Sequence, residues 1–121
     1  MKVKFKCPSC GASRIFWIDQ PRGFNRLVDE IGKWQDATFP HATPASVAAH
    51  LRREAIELEN HPENAEEIAD IMFLCIGAAR ALKVNLSEIL ALKFAINKAR
   101  RWKAPDHEGV CEHEKTERPS A

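Results

Sequence analysis

"HLRREAIELENHPENAEEIADIMFL", residues 50–74, decides how this chain folds. It is dense in carboxylates, yet aliphatic residues run through both ends and must be packed. Asn60-His61-Pro62 interrupts it, because proline disfavours helix in the residue before it. On either side the apolar residues recur at steps of three and four, the period of a helix face. Val47, Leu51, Ala55 and Leu58 give one such face. Thr43 then Pro44 makes a good start for that helix, a hydroxyl N-cap followed by proline at the first position. The spacing predicts helices over about 44–59 and 63–82, joined by a short break and packed as a hairpin.

Residues three or four apart share a helix face. On the first of these helices His50, Glu54, Glu57 and His61 form one stripe. On the second, Glu63, Glu67 and Asp70 form another, continued by Leu74 and Gly77. A hairpin sets Glu54 and Glu57 opposite Glu67 and Asp70. Four converging carboxylates repel one another and raise one another's pKa values unless a positive charge sits between them. A divalent cation supplies it. Hard oxygen ligands with no cysteine among them point to Mg²⁺ or Mn²⁺. A lone Glu-x-x-Glu carries little weight, since exposed helix faces are full of acids, and Glu59, Glu63 and Glu66 read as solvated or as complements to a helix dipole.

Outward from this hairpin, an earlier helix is expected over about Phe24–Thr38, with Leu27, Ile31, Trp34 and Phe39 facing inward and Pro40 ending it. The second half of the 63–82 helix, "IMFLCIGAARAL", is apolar nearly all round. It reads as a buried central helix, with Cys75 a small inert core residue and a subunit interface covering the excess. Asn85 and Glu88 have the spacing of a capping box, opening a fourth helix to about Trp102. Along it Lys93, Asn97 and Arg100 share a face. Two cations and an amide suit polyphosphate oxygens, and equally a solvated basic face near a helix C-terminus. The fold class is therefore all-α, four principal helices, with a β-prone N-terminal extension around "RIFWI". Three segments follow: 1–21 with a Cys-x-x-Cys turn, a helical domain over 22–104, and a polar tail over 105–121 that reads as loosely ordered.

Composition excludes several classes. At 121 residues the chain holds one core's worth of sequence, and its net charge of +1 gives no basic excess for nucleic acid. No apolar run is long enough for a membrane span, and "MKVKFKCPSCG" lacks the apolar segment of a secretory signal. The expected setting is cytoplasmic, where four cysteines are thiols or metal ligands before disulfides. "CPSCG" has the form of one zinc knuckle. Cys7, Cys10, Cys111 and His113 complete a Cys₃His zinc site if the termini meet, and are otherwise free side chains on the two ends.

Together, "HLRREAIELE…EEIADIMFL" and "LKFAINKARRW" resemble the MazG-like all-α nucleoside triphosphate pyrophosphohydrolases. Their hallmark is Glu-x-x-Glu then Glu-x-x-Asp on adjacent helices, here Glu54, Glu57, Glu67 and Asp70. The short gap between the pairs is similar to the phage branch of dATP/dGTP diphosphohydrolases that includes the MazZ enzymes. Phe24, the Thr38-Phe39 pair, His50 four residues before the acids, and Lys93, Asn97, Arg100 and Trp102 match that branch. Pro40 stands where the family usually has glycine, which leaves the following loop's shape open. The resemblance covers about residues 24–103.

It implies a four-helix MazG-like bundle in an oligomer, a dimer or tetramer, in the host cytoplasm if phage-encoded. It implies two or more Mg²⁺ (or Mn²⁺) ions on the four acids, a purine deoxynucleoside triphosphate as substrate, and water attacking the α-phosphorus so that pyrophosphate leaves. Lys93 and Arg100 then hold phosphate charge, Asn97 a phosphate or the sugar, and Glu57 orients or deprotonates the water. Trp34 stacks on the base or is simply core. His50 supports Glu54 or makes a plain interhelical bond. In phages that replace adenine by 2-aminoadenine, such an enzyme supplies dGMP and depletes dATP. Two other classes compete: a catalytically idle nucleotide-binding regulator, which an intact set of acids and cations disfavours, and a zinc-knuckle adaptor, which the neutral charge disfavours.

Overall fold

Lysine alternates with apolar residues in "KVKFK" at the N-terminus, the period-two pattern of a strand. In the computed structural model, which describes residues 2–6, 11–17 and 23–115, this segment is β1 (Lys2–Lys6). It pairs antiparallel with β2 (Ser13–Trp17), in a register running from Lys2 opposite Trp17 to Lys6 opposite Ser13. Cys7 and Cys10, and with them the zinc-knuckle expectation, lie outside the described residues.

Four helices follow: α1 (Phe24–Thr38), α2 (Pro44–Asn60), α3 (Ala65–Leu82) and α4 (Leu86–Ala99). The class is all-α, as expected. The start of α2 is fixed by a capping box in which Ser46 N–H donates to Thr43 Oγ1 at 3.1 Å and Thr43 N–H donates to Ser46 Oγ at 2.9 Å. Expected from Glu63, α3 starts two residues later, because Asn64 Oδ1 accepts from Glu66 N–H and serves as N-cap. The last turn of α3 closes on Lys83, left-handed at φ 57°. Among the described residues no helix is long and apolar enough to cross a membrane.

The chain divides into two compact units, 1–85 and 86–121. In the first, α2 and α3 pack as the expected hairpin and α1 packs on α3. Val47, Ile76 and Ala79 are buried there. The expected inward face of α1 is a correction: Leu27 is 45% exposed, Trp34 52% and Phe39 54%. Helical spacing groups Leu27 and Trp34 on one side of α1, with Phe39 just past its end, but it does not say that anything within the unit covers that side.

The second unit holds α4 and a turn of chain that the sequence read as a loose tail. Lys103 N–H donates to Glu112 O and Glu114 N–H to Arg101 O, each at 2.8 Å, around a Trp102–His113 bridge. Asp106 closes the turn by accepting from Glu108 and Val110 N–H at 2.9 and 3.0 Å, and Gly109 takes a φ of +81°. The helix stops at Ala99, short of the expected Trp102, whose indole N–H instead donates back to Asn97 O at 3.0 Å.

Candidate active site

The hairpin brings together three of the four acids that the spacing set opposite one another. Glu54 of α2 and Glu67 and Asp70 of α3 each offer a carboxylate oxygen, and the three oxygens lie within 4.8 Å of one another. Among the described residues this is the one group of histidine, cysteine or acid side chains arranged to hold a metal ion. Glu57, one turn further along α2, stands outside the trio. Its charge still reaches Glu67, whose carboxyl is held above the usual glutamate range, first by desolvation against the helix pair and then by Asp70, Glu54, Glu57 and Glu66. His50 adds a support: its Nε2 donates to Glu54 Oε1 at 3.2 Å.

Such a trio fits a hard divalent cation. All three ligands are carboxylates, they come from two rigid helices, and their crowding is what a positive charge would relieve.

An open cleft runs from these acids along α1, lined by Glu54, Asp70, Phe73, Trp34, Gln35 and Phe39 among others. Trp34 sits between two aromatic neighbours, edge-on to Phe39 at 5.6 Å and to Phe73 at 6.2 Å. Its exposure makes it a wall of the cleft and not core. The wall is fastened to α3 twice. Gln35 Nε2 donates to Phe73 O at 2.7 Å, while its Oε1 is buried with no partner. Asp36 receives both Nε and Nη2 of Arg80. That ion pair lowers the Asp36 carboxyl, chiefly through the hydrogen bond from Arg80.

Sequence reasoning missed Gln35, Asp36 and Arg80. One signal was available: Gly32 lies in mid-helix, where glycine costs about 1 kcal/mol relative to alanine and so points to a packing reason. A Cβ there would meet Arg80 Nη1 and Nε at 2.7 and 2.8 Å.

The remaining expected residues lie in the second unit. Lys93 is exposed on α4, and Arg100 Nη1 donates to Asn97 Oδ1 at 3.1 Å. Cys111 is an exposed free thiol, and the His113 ring sits edge-on to Trp102 at 6.0 Å.

Four helices with carboxylates paired across a hairpin place this chain in the class of MazG-like pyrophosphohydrolases, by the following likenesses. The fold of the MazG-like pyrophosphohydrolase of Cyanophage S-2L, solved with dGDP and three catalytic Mn²⁺ ions per active site, superposes with a TM-score of 0.66 at 30% identity, over 78% of this chain and all of that one. The sequence profile of the dATP/dGTP pyrophosphohydrolases matches residues 27–120, and the chain belongs to that family. A dATP/dGTP diphosphohydrolase of Cyanophage S-2L is 32% identical over 95 residues, covering 77% of this chain and 90% of the relative. One from Salmonella phage PMBT28 is 31% identical over 84 residues, which span 69% of this chain and 29% of that longer protein.

Proposed function

We propose that this protein hydrolyses a purine deoxynucleoside triphosphate, dATP or dGTP, to the monophosphate and pyrophosphate. The observation that carries the reading is the Glu54–Glu67–Asp70 trio, three carboxylate oxygens within 4.8 Å on a hairpin that matches the family's acid motif.

Glu54, Glu67 and Asp70 hold the divalent ions, Mg²⁺ or Mn²⁺, two or more per site; when bound, these ions offset the charge of the triphosphate and acidify water. Water then attacks the α-phosphorus. A new P–O bond forms, the bond from the α-phosphorus to the bridging oxygen breaks, and that oxygen leaves with pyrophosphate. Glu57 takes the water's proton: it shares the face of α2 with Glu54 yet stands clear of the ligand trio. His50 holds Glu54 in its ligating rotamer. Trp34 stacks on the purine, with Phe39 and Phe73 fixing its ring. Lys93 and Arg100 are assigned to phosphate oxygens, and Asn97 to a phosphate or the sugar, by their match to the family's last-helix motif.

Large apolar side chains remain exposed on α4, Leu92 at 63% and Phe94 at 64% among them. A homo-oligomer, dimer or tetramer, would bury them. In a phage that replaces adenine by 2-aminoadenine, the activity would supply dGMP and deplete dATP.

The test is product analysis. The protein is incubated with Mg²⁺ or Mn²⁺ and each common deoxy- or ribonucleoside triphosphate, and products are separated by ion exchange. Monophosphate plus pyrophosphate from dATP or dGTP, lost in Glu57→Gln and with EDTA, supports the reading. No turnover with any nucleotide would leave the acids as a binding site at most.

A further inference from the structure

Beside the metal ions and the α4 side chains assigned above, basic side chains of the cleft itself are placed to meet a triphosphate. Five line the cleft: His41, His50, Arg53, Arg80 and Lys83. Two are already engaged, Arg80 by Asp36 and His50 by Glu54. Lys83 caps the far end of α3, thirteen residues beyond Asp70, which at the rise of a helix is about 20 Å away. His41 lies beyond the end of α1, next to Phe39 and Pro40 on the aromatic side.

Arg53 alone is both uncommitted and beside the acids. It precedes Glu54 on α2 and lies three residues from His50, on the edge of the face that turns Ser46, His50 and Glu54 into the cleft. It makes no ion pair among the described residues, not even with Glu57 one turn on. A guanidinium offers two parallel N–H donors to one phosphate and cannot lose its charge.

We propose that Arg53 binds the β- and γ-phosphates of the substrate and, after cleavage, the pyrophosphate. This rests on the pyrophosphohydrolase reading above. The charge on the leaving group grows as the bond to the α-phosphorus breaks, so the contact strengthens along the reaction and acts on turnover as well as on binding. Arg52 is the built-in control: same side chain, same helix, also exposed, but outside the cleft lining.

The test compares wild type, Arg53→Ala, Arg53→Lys and Arg52→Ala. Binding of inorganic pyrophosphate and of dGMP is read by calorimetry with Mn²⁺ present, and hydrolysis of dGTP by steady-state kinetics. For Arg53→Ala we expect pyrophosphate binding and kcat/KM to weaken about ten- to hundredfold, dGMP binding to hold within about twofold, and Arg53→Lys to fall between. Mn²⁺ binding without nucleotide, read by electron paramagnetic resonance, should be unchanged, and Arg52→Ala should match wild type. Equal losses for pyrophosphate and dGMP, or an Arg53→Ala protein indistinguishable from Arg52→Ala, would overturn the proposal while leaving the enzyme reading intact. A wild type that neither turns over dGTP nor binds pyrophosphate would remove both.

Discussion

Arg80 of α3 crosses the bare backbone of Gly32 to place two guanidinium nitrogens on the Asp36 carboxylate of α1. The crossing fixes the helix that carries Trp34 against the helix that carries Asp70. It also makes one glycine the condition for an ion pair four residues away. In Gly32→Ala the new methyl group displaces Arg80, while alanine improves the helix by about 1 kcal/mol. Thermal stability should therefore change little, but the Asp36 carboxyl should rise toward its ordinary value of 3.8. Carbon NMR of the carboxyl groups during an acid titration checks this; an Asp36 that stays lowered would mean that Arg80 steps aside without letting go.

The same pair gives a signed dependence on pH. Asp36 is lowered in the folded chain, so its contribution is present above the ordinary aspartate range and is lost as pH falls through the lowered value. Arg80→Met should flatten that part of the acid unfolding curve and leave neutral-pH behaviour to other groups. Chemical denaturation at a series of acid pH values measures the slope.

Glu67 has the opposite sign. Its carboxyl is raised, so without metal the folded state is favoured below the ordinary value of 4.5 and loses that advantage as pH rises through the raised value. Mn²⁺ should restore stability at neutral pH and do so much less in acid, where protons compete for the same oxygens. Glu67→Gln should raise the metal-free melting temperature at neutral pH and abolish the increase that Mn²⁺ gives. Melting curves with and without the ion, at both pH values, decide it.

Trp34 should carry base affinity. Stacking a base on an aromatic ring contributes about 1–3 kcal/mol, so Trp34→Ala should raise KM for dGTP about tenfold, with kcat changed less and Trp34→Phe intermediate. A KM that does not move would return Trp34 to a purely packing role with Phe39 and Phe73.

Asp106→Ala should loosen the second unit locally. It removes the acceptor for two backbone N–H groups at the tip of the Arg101–Glu114 turn. We expect about 1 kcal/mol less protection of the amides of residues 108 and 110 in hydrogen exchange, and little change at α2 and α3.

Much of this was legible in the sequence, for reasons that differ by residue. The end of α1 at Thr38 was legible because Pro40 stops it, and the start of α2 at Pro44 because Thr43 caps it ahead of the proline. The convergence of Glu54, Glu67 and Asp70 followed from three- and four-residue spacing on two helices with a short connection, but that spacing also grouped Glu57 with them, and it stands outside. The exposure of Leu27, Trp34 and Phe39 did not follow, because periodicity finds a face without saying what covers it. The Asp36–Arg80 pair spans 44 residues, a separation that no local pattern reports. The C-terminal turn was hidden by polarity; its signal was Asp106 followed by Gly109, a turn chemistry and not a hydrophobic one. Likewise β1 was missed though its lysines alternate with Val3 and Phe5.

Hydrolysis of dGTP with Mn²⁺ in ¹⁸O-water, with both products weighed, reads which phosphorus the water attacks. Attack at the α-phosphorus puts the heavy oxygen in dGMP and leaves pyrophosphate unlabelled. Label in pyrophosphate, or release of inorganic phosphate with a nucleoside diphosphate, would mean that water attacks a different phosphorus.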